Sequence, residues 1–191
     1  MDGPTTRSTP TGILSEGQVT LRPWRLDDAP ALVRRINDAA VAAFLDLVPQ
    51  PYRHADAIAY LTDCEEGWRT GASSNFAVCI EGIDGPAGSV GIRWSEIDDG
   101  VAEVGYWVAA EVRGRGVATT ATRLVVRWAF GAEPRLERLQ LRADVENEPS
   151  NRVAAKAGFT REGVLRSARY NVRLNRRIDL AIWSLLRDEI R

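Results

Sequence analysis

Apolar and polar residues alternate over residues 18–24, with Val19, Leu21 and Pro23 on one side, the period of a half-buried strand. The period then changes. Asp27 offers an N-cap, Pro30 sits in the first turn, and Ala31, Leu32 and Ile36 line one face of a helix running to Asp38. Residues 41–52 are apolar but broken by Pro49 and Pro51, so they read as loop or short helix. A second helix, capped by His54 or Asp56, reaches Trp68 with Ile58, Leu61, Cys64 and Glu65 three or four apart, and Gly71 closes it. Three β-rich runs follow at 75–81, 87–97 and 102–108, joined by short polar turns, which predicts an antiparallel meander. An amphipathic helix at 117–130 then leads to a strand at 139–145, and a helical crossover lets the strands on either side of it run parallel. A short helix from Pro149 to Ala157–Gly158, a strand at 159–165 and an edge or final strand at 177–185 complete the chain. The pattern predicts an α/β (α+β) fold, one domain with a central mixed, mostly antiparallel sheet flanked by helices. Residues 1–14, where 1–12 are rich in Thr, Ser, Pro and Gly, read as a disordered tail or expression remnant ahead of a domain at 15–191.

The junction between the strand ending at Val108 and the helix beginning at Val117 carries the strongest chemical signal. Gly114 and Gly116 allow a tight turn, and the helix opens on the small residues Val117, Ala118, Thr119 and Thr120. A ligand can thus approach the N–H groups left free at a helix N-terminus, which suits a phosphate. A P-loop is excluded because no lysine follows Gly116, and a dinucleotide fingerprint fails where Thr119 stands in place of its third glycine. The pattern [QR]-x-x-G-x-[GA] is met by Arg113, Gly116 and Ala118. The competing reading is a glycine-rich turn with no ligand.

That pattern resembles the pyrophosphate loop of the GCN5-related N-acetyltransferases, the GNAT superfamily. Three further stretches are similar to its branch of ribosomal-protein N-terminal acetyltransferases (RimJ/RimL-like): LRPWRLDDAPAL at 21–32; Asn147-x-x-Ser150 with Lys156-x-Gly158-Phe159 and Glu162-Gly163; and Asp179 with the WSLL run. Together they span Val19 to about Glu189. The resemblance implies transfer of an acetyl group from acetyl-coenzyme A to an amine. Arg113, Gly114, Arg115, Gly116, Val117, Ala118 and Thr119 would hold the donor. The backbone near Trp107 and Val108 would face its thioester, and Asn147 and Ser150 would contact cofactor and leaving group. Ser150 is then a candidate proton donor, although Asn147 and Ser150 also suit a helix cap. Glu103 is the candidate base acting through water, or else a carboxylate on the solvent side of its strand. Some relatives place a glutamate before the tyrosine that follows the EG signature; here Arg169 precedes Tyr170, so that base is not carried over. The first helices and their joining loop would wall the acceptor site, which makes Phe44, Leu45, Tyr52 and Trp68 acceptor contacts or core residues.

Composition narrows the alternatives. The chain has 191 residues, 45% hydrophobic, with six tryptophans, enough for a packed core, and a net charge of −1 that argues against nucleic-acid binding. No apolar run approaches the ~18 residues of a membrane span, so a cytoplasmic protein is expected. Cys64 and Cys79 read as small buried residues and His54, the single histidine, as a cap or surface residue; no metal site is expected. Neutralising an α-amine at pH 7 costs about 1–1.4 kcal/mol, against about 4.6 kcal/mol for a lysine amine. A weakly based site therefore fits an α-amine or another low-pKa amine better than a lysine; a protein N-terminal α-amine is the leading reading, with a small-molecule amine or antibiotic, or a non-catalytic coenzyme A-binding module, as the alternatives. Oligomeric state, including a homodimer, and the size of the acyl group stay open.

Overall fold

The computed structural model describes residues 13–42, 45 and 48–190. Phe44 and the segment 1–12 lie outside the described residues. In chain order the elements are β1 (Leu14–Glu16), β2 (Val19–Pro23), α1 (Ala29–Ile36), α2 (Ala39–Ala42), α3 (His54–Thr70), β3 (Ser73–Ile80), β4 (Gly88–Glu96), β5 (Val101–Val108), α4 (Val117–Ala132), β6 (Arg138–Asp144), α5 (Glu148–Lys156), β7 (Thr160–Asn171) and β8 (Arg176–Leu186). The eight strands form one sheet in the order β1-β2-β3-β4-β5-β6-β8-β7, every neighbouring pair antiparallel except β5–β6. Leu14 already belongs to the sheet, pairing with Leu21. The last strand is interior: β8 lies between β6 and β7, and β7 takes the edge.

Alternation along the strands assigns the two faces. Phe76, Val78, Val90, Ile92, Ala102 and Val104 are buried in the cluster that includes Val117, Ala121, Leu124 and Val125 of α4. Trp68, Phe76, Trp94 and Trp128 join that core edge to face, with Trp68 and Phe76 ring centroids 5.2 Å apart. Trp68 is therefore a core residue, and the acceptor contact considered for it is not formed. A second cluster gathers Leu32, Ile36, Val41, Tyr52 and Leu61 from α1–α3, with Trp24 and Trp107 packed against it. The entry to α1 is pinned by Asp28, whose carboxylate takes two bonds of 2.7 Å from Arg22 and a third, of 2.9 Å, from the Arg25 N–H.

One feature of the sheet sets up the site. The parallel pairing of β5 with β6 covers only Val101↔Arg138, Ala102↔Leu139 and Glu103↔Gln140. Beyond it β6 stays with β8 to Asp144, and β5 stays with β4 to Val108, so the two strands part. Backbone groups of 104–108 that would have bonded β6 are left facing a gap, and buried backbone groups demand partners.

Candidate active site

The gap between β5 and β6 opens into a cleft of ≈1100 Å³. Its floor carries Trp107 and Val108; its far wall carries Asn147, Pro149 and Ser150 from the start of α5; and its end carries Arg113, Gly114, Gly116, Val117, Ala118 and Thr119. Gly116 is the N-cap of α4 with φ +79°, and Gly114 has φ +72°, left-handed conformations that glycine adopts without strain. The first helical bond runs from the Thr120 N–H to the Gly116 carbonyl at 3.0 Å, leaving the N–H groups of Val117, Ala118 and Thr119 without intrahelical acceptors. The first turn carries no acidic residue that could compete for them. Three convergent donors at the positive end of a helix dipole form an anion cradle. Arg115 does not share in it: its guanidinium donates to Gln18 Oε1 at 2.8 Å, and the residue does not line the cleft. On α5, Lys156 of the Lys156-x-Gly158-Phe159 stretch also lines the cleft, as do Arg152 and Val153, which the sequence pattern does not single out.

Where the strands part, two hydroxyls meet. Tyr106 Oη lies 2.8 Å from Ser150 Oγ and 3.3 Å from the Ser150 carbonyl oxygen. Burial pushes the Tyr106 hydroxyl above its ordinary range, and the Ser150 bond offsets part of that. The helix cap is supplied by Asn147, whose Oδ1 accepts the Ser150 N–H at 3.2 Å, so Ser150 Oγ is not the capping atom. The sequence pattern places Tyr106 only within the β-rich run at 102–108. Its signal was parity: it shares the face of Ala102 and Val104, toward the helix side, where a phenol needs a polar partner.

The opposite face of β5 carries Glu103, Gly105 and Trp107. Glu103 accepts from Arg142 and faces Arg93 at 3.8 Å, both through Oε2. A second cavity of ≈300 Å³ opens beside Glu103 and Trp107 and shares both residues with the cleft. Its remaining walls include Tyr60, Ser73, Asn75, Ser89 and Arg93. Tyr60 Oη lies 3.0 Å from Ser89 Oγ, and burial raises the Tyr60 hydroxyl far above the usual phenol range, so it stays a neutral hydrogen-bonding group. Leu45 lines the larger cleft, and Arg173, in the β7–β8 turn, donates to the carbonyls of Leu45 at 2.9 Å and Val48 at 3.2 Å, strapping the α2–α3 connection to that turn. Tyr52 is buried against α1 and α3 and bonds the Asp56 carbonyl at 3.1 Å, so it supports this wall from behind.

Other candidates lie elsewhere. His54 is exposed in the first turn of α3, whose N-terminus is closed by Asp56 Oδ2 accepting the Arg53 N–H at 2.7 Å. Cys64 is buried, its thiol pushed up to about 11 by burial, and Cys79 is half-buried. Glu162 of the EG signature accepts from Arg138 and from Ser184 at 2.7 Å, clasping three strands.

A splayed strand pair, a helix N-terminus with open donors, and a hydroxyl pair between them form a cleft with room for a long phosphorylated ligand. Comparison with known proteins identifies the family. The family model described as Acetyltransferase (GNAT) domain matches residues 18–160. The uncharacterized N-acetyltransferase p20 of Bacillus licheniformis is 27% identical over 174 residues, covering 90% of this chain and 94% of that protein. The ribosomal-protein-serine acetyltransferase of Escherichia coli (strain K12) is 32% identical over 69 residues, 36% of this chain and 38% of that protein. Among solved structures, the microcin C7 self immunity acetyltransferase MccE, in complex with acetyl-CoA and AMP, shares the fold with a TM-score of 0.81 at 23% identity, covering 95% of this chain and 99% of that one. The chain belongs to the GNAT acetyltransferase family and is an N-acetyltransferase that takes its acetyl group from acetyl-coenzyme A.

Proposed function

We propose that the acceptor is a protein N-terminal α-amine and that the β5–β6 cleft holds the donor. One observation carries the acceptor reading. Among the described residues, Glu103 is the only carboxylate lining the ≈300 Å³ cavity, and its Oε2 is shared by Arg142 and Arg93. A polycation or a lysine side chain would need more negative charge there, whereas an α-amine loses its proton for about 1–1.4 kcal/mol at pH 7. The short match to a ribosomal-protein-serine acetyltransferase supports the same class.

On this reading the N–H groups of Val117, Ala118 and Thr119, with Arg113, bind the pyrophosphate. Backbone groups of Val104 and Tyr106, on the side of β5 that β6 leaves, bind the amides of the pantetheine arm, and the Val108 N–H beside Trp107 polarises the reacting carbonyl. Acetyl-coenzyme A supplies the activated acetyl group. Glu103 takes a proton from the amine through water, using Oε1, which has no hydrogen-bond partner among the described residues. Ser150 passes its proton to the leaving sulfur while accepting one from Tyr106, and Tyr106 regains a proton from solvent as Glu103 releases there the one taken from the amine. Asn147 contributes by capping α5 and so fixing Ser150.

The test is a thiol-release assay with acetyl-coenzyme A on three acceptors: a peptide with free α-amine and no lysine, its Nα-blocked counterpart carrying one lysine, and a set of small primary amines. The expected order places the free α-amine first by more than tenfold near neutral pH. Turnover confined to the lysine peptide or to small amines overturns the acceptor assignment.

A further inference from the structure

The register of three strands lays out a grid on the sheet face that carries Glu103. One row reads Ser73–Arg93–Glu103, the next Asn75–Gly91–Gly105, and the third Ala77–Ser89–Trp107. The outer rows carry side chains at every position, while the middle row has two glycines side by side on adjacent strands. That row is therefore a groove across the sheet, walled by Arg93 and Glu103 on one side and by Ser89 and Trp107, with Tyr60 above them, on the other. The two glycines serve different ends. A Cβ on Gly91 would lie 2.2 Å from Asn75 Oδ1, so glycine here lets the Asn75 amide lie over β4, reaching toward β5. A Cβ on Gly105 would meet nothing within 4 Å and would stand in the groove itself. Gly105 is exposed and lies on β5, the strand that also borders the donor cleft.

From these positions we infer that the Gly105–Gly91 groove receives the first side chain of the acceptor, and that Asn75 selects a short side chain ending in a hydroxyl or carboxamide. The inference rests on the N-terminal acetyltransferase reading and adds to it which residue begins the substrate. Distance sets the length: from Gly105 to the amide above Gly91 is about one strand spacing, ~5 Å, the reach of a serine, threonine or asparagine side chain but short for lysine or arginine. Chemistry sets the end group. Asn75 Nδ2 is already donated to Ser73 Oγ at 3.3 Å, while Oδ1 has no partner among the described residues, so the occupant must bring a donor. The end of the groove on β3, at Ser73 and Asn75, holds no carboxylate, and the charge beside it is Arg93, so a cationic end group would lose its hydration without compensation.

The test uses one peptide sequence beginning with Ser, Thr, Asn, Ala, Val or Lys. Its binding to the coenzyme A-loaded protein is measured by calorimetry, where no turnover intervenes. 2-Aminoethanol against ethylamine serves as a peptide-free version of the Ser–Ala comparison. Ser, Thr and Asn peptides should bind roughly three- to tenfold tighter than the Ala peptide, the value of one neutral hydrogen bond. Asn75→Ala should abolish that preference and leave the Ala peptide unchanged. Gly105→Val should weaken the Ser and Asn peptides at least tenfold at saturating coenzyme A; valine suits an exposed strand position, so folding is retained. Equal binding of Ser and Ala peptides, or a preference that survives both substitutions, overturns the groove. The two readings fail separately. Peptides ranked as expected but not acetylated refute α-amine transfer alone, as does an Asn75-dependent preference for 2-aminoethanol without any peptide binding; acetylation without ranking refutes the groove alone.

Discussion

Removing the Ser150 hydroxyl separates its chemical role from its structural one, because the structure assigns the two to different atoms. Asn147 Oδ1 makes the cap, and it binds the Ser150 N–H, which Ser150→Ala keeps. What the substitution loses is the 2.8 Å bond with Tyr106, whose hydroxyl retains the Ser150 carbonyl oxygen at 3.3 Å. The stability cost should thus be at most about 1 kcal/mol, a fall of roughly 2–4 °C in melting temperature for a domain of this size. If Ser150 delivers the proton to the leaving sulfur, turnover should fall by up to about 10²–10⁴-fold, or about 2.7–5.4 kcal/mol in the barrier, well beyond anything the packing change explains. Tyr106→Phe removes the phenol that resupplies Ser150 and should lower turnover less. The double variant should be no slower than Ser150→Ala alone, since a relay without its last member gains nothing from its first. Because burial raises the Tyr106 hydroxyl above its ordinary value near 10, loss of this proton should not produce an alkaline limb in kcat below about pH 10. Single-turnover thiol release and melting, measured on the same four proteins, decide the matter. Wild-type turnover in Ser150→Ala, or losses in the two single variants that multiply in the double, would refute the relay.

Gly116→Val should weaken donor binding at least tenfold in calorimetry and leave the acceptor constant unaltered, since a β-branched residue at φ +79° is strained by about 1–2 kcal/mol and sits at the phosphate cradle. Glu103→Gln should lower turnover most at pH values below the acceptor amine's pKa and least above it, where the amine is already neutral; a pH-independent loss would make Glu103 an anchor for Arg142. Glu162→Gln tests the strand clasp: Arg138 and Ser184 hold that carboxyl down to about 2, against about 4.3 when unfolded. A depressed pKa stabilises fully above about pH 4.3 and ceases to as pH falls through about 2. The side chain is 40% exposed, so solvent screening reduces the contribution to about 1 kcal/mol. The melting difference between wild type and Glu162→Gln should therefore be present at pH 7 and vanish near pH 2.

What could be read from the sequence was local. The Gly114–Gly116 turn, the α4 face and the meander of β3, β4 and β5 follow from period and turn chemistry over a few residues, and the structure forms each within a few residues of the expected place. The α5 entrance was legible for the same reason, down to Asn147 as its cap. What escaped depends on long-range pairing. Tyr106 and Ser150 are 44 positions apart, and nothing near either residue announces the other. Trp68 could be read from the sequence as an acceptor contact or a core residue, and its neighbours Phe76 and Trp128 place it in the core. Arg115 lies inside the motif, yet Gln18, from the far end of the chain, draws it away. β7 was expected to end at 165 and runs to Asn171, because a bulge with Ser167 at φ +52° absorbs the misfit and Asp179 bonds the Ser167 N–H at 2.7 Å. The parting of β5 from β6 leaves no trace in composition at all; it is a missing pairing, visible only when both strands are placed.

That parting is the core of the account, and backbone hydrogen exchange measures it directly. With no ligand, amides in 104–108 that face the gap should exchange faster than those of 101–103, which are paired on both sides. Saturating coenzyme A should slow exchange in 104–108 and at Val117, Ala118 and Thr119, while leaving β1 and β2 unchanged. Coenzyme A binding that protects other segments and leaves both of these as they were would contradict the assignment of the cleft as the donor site.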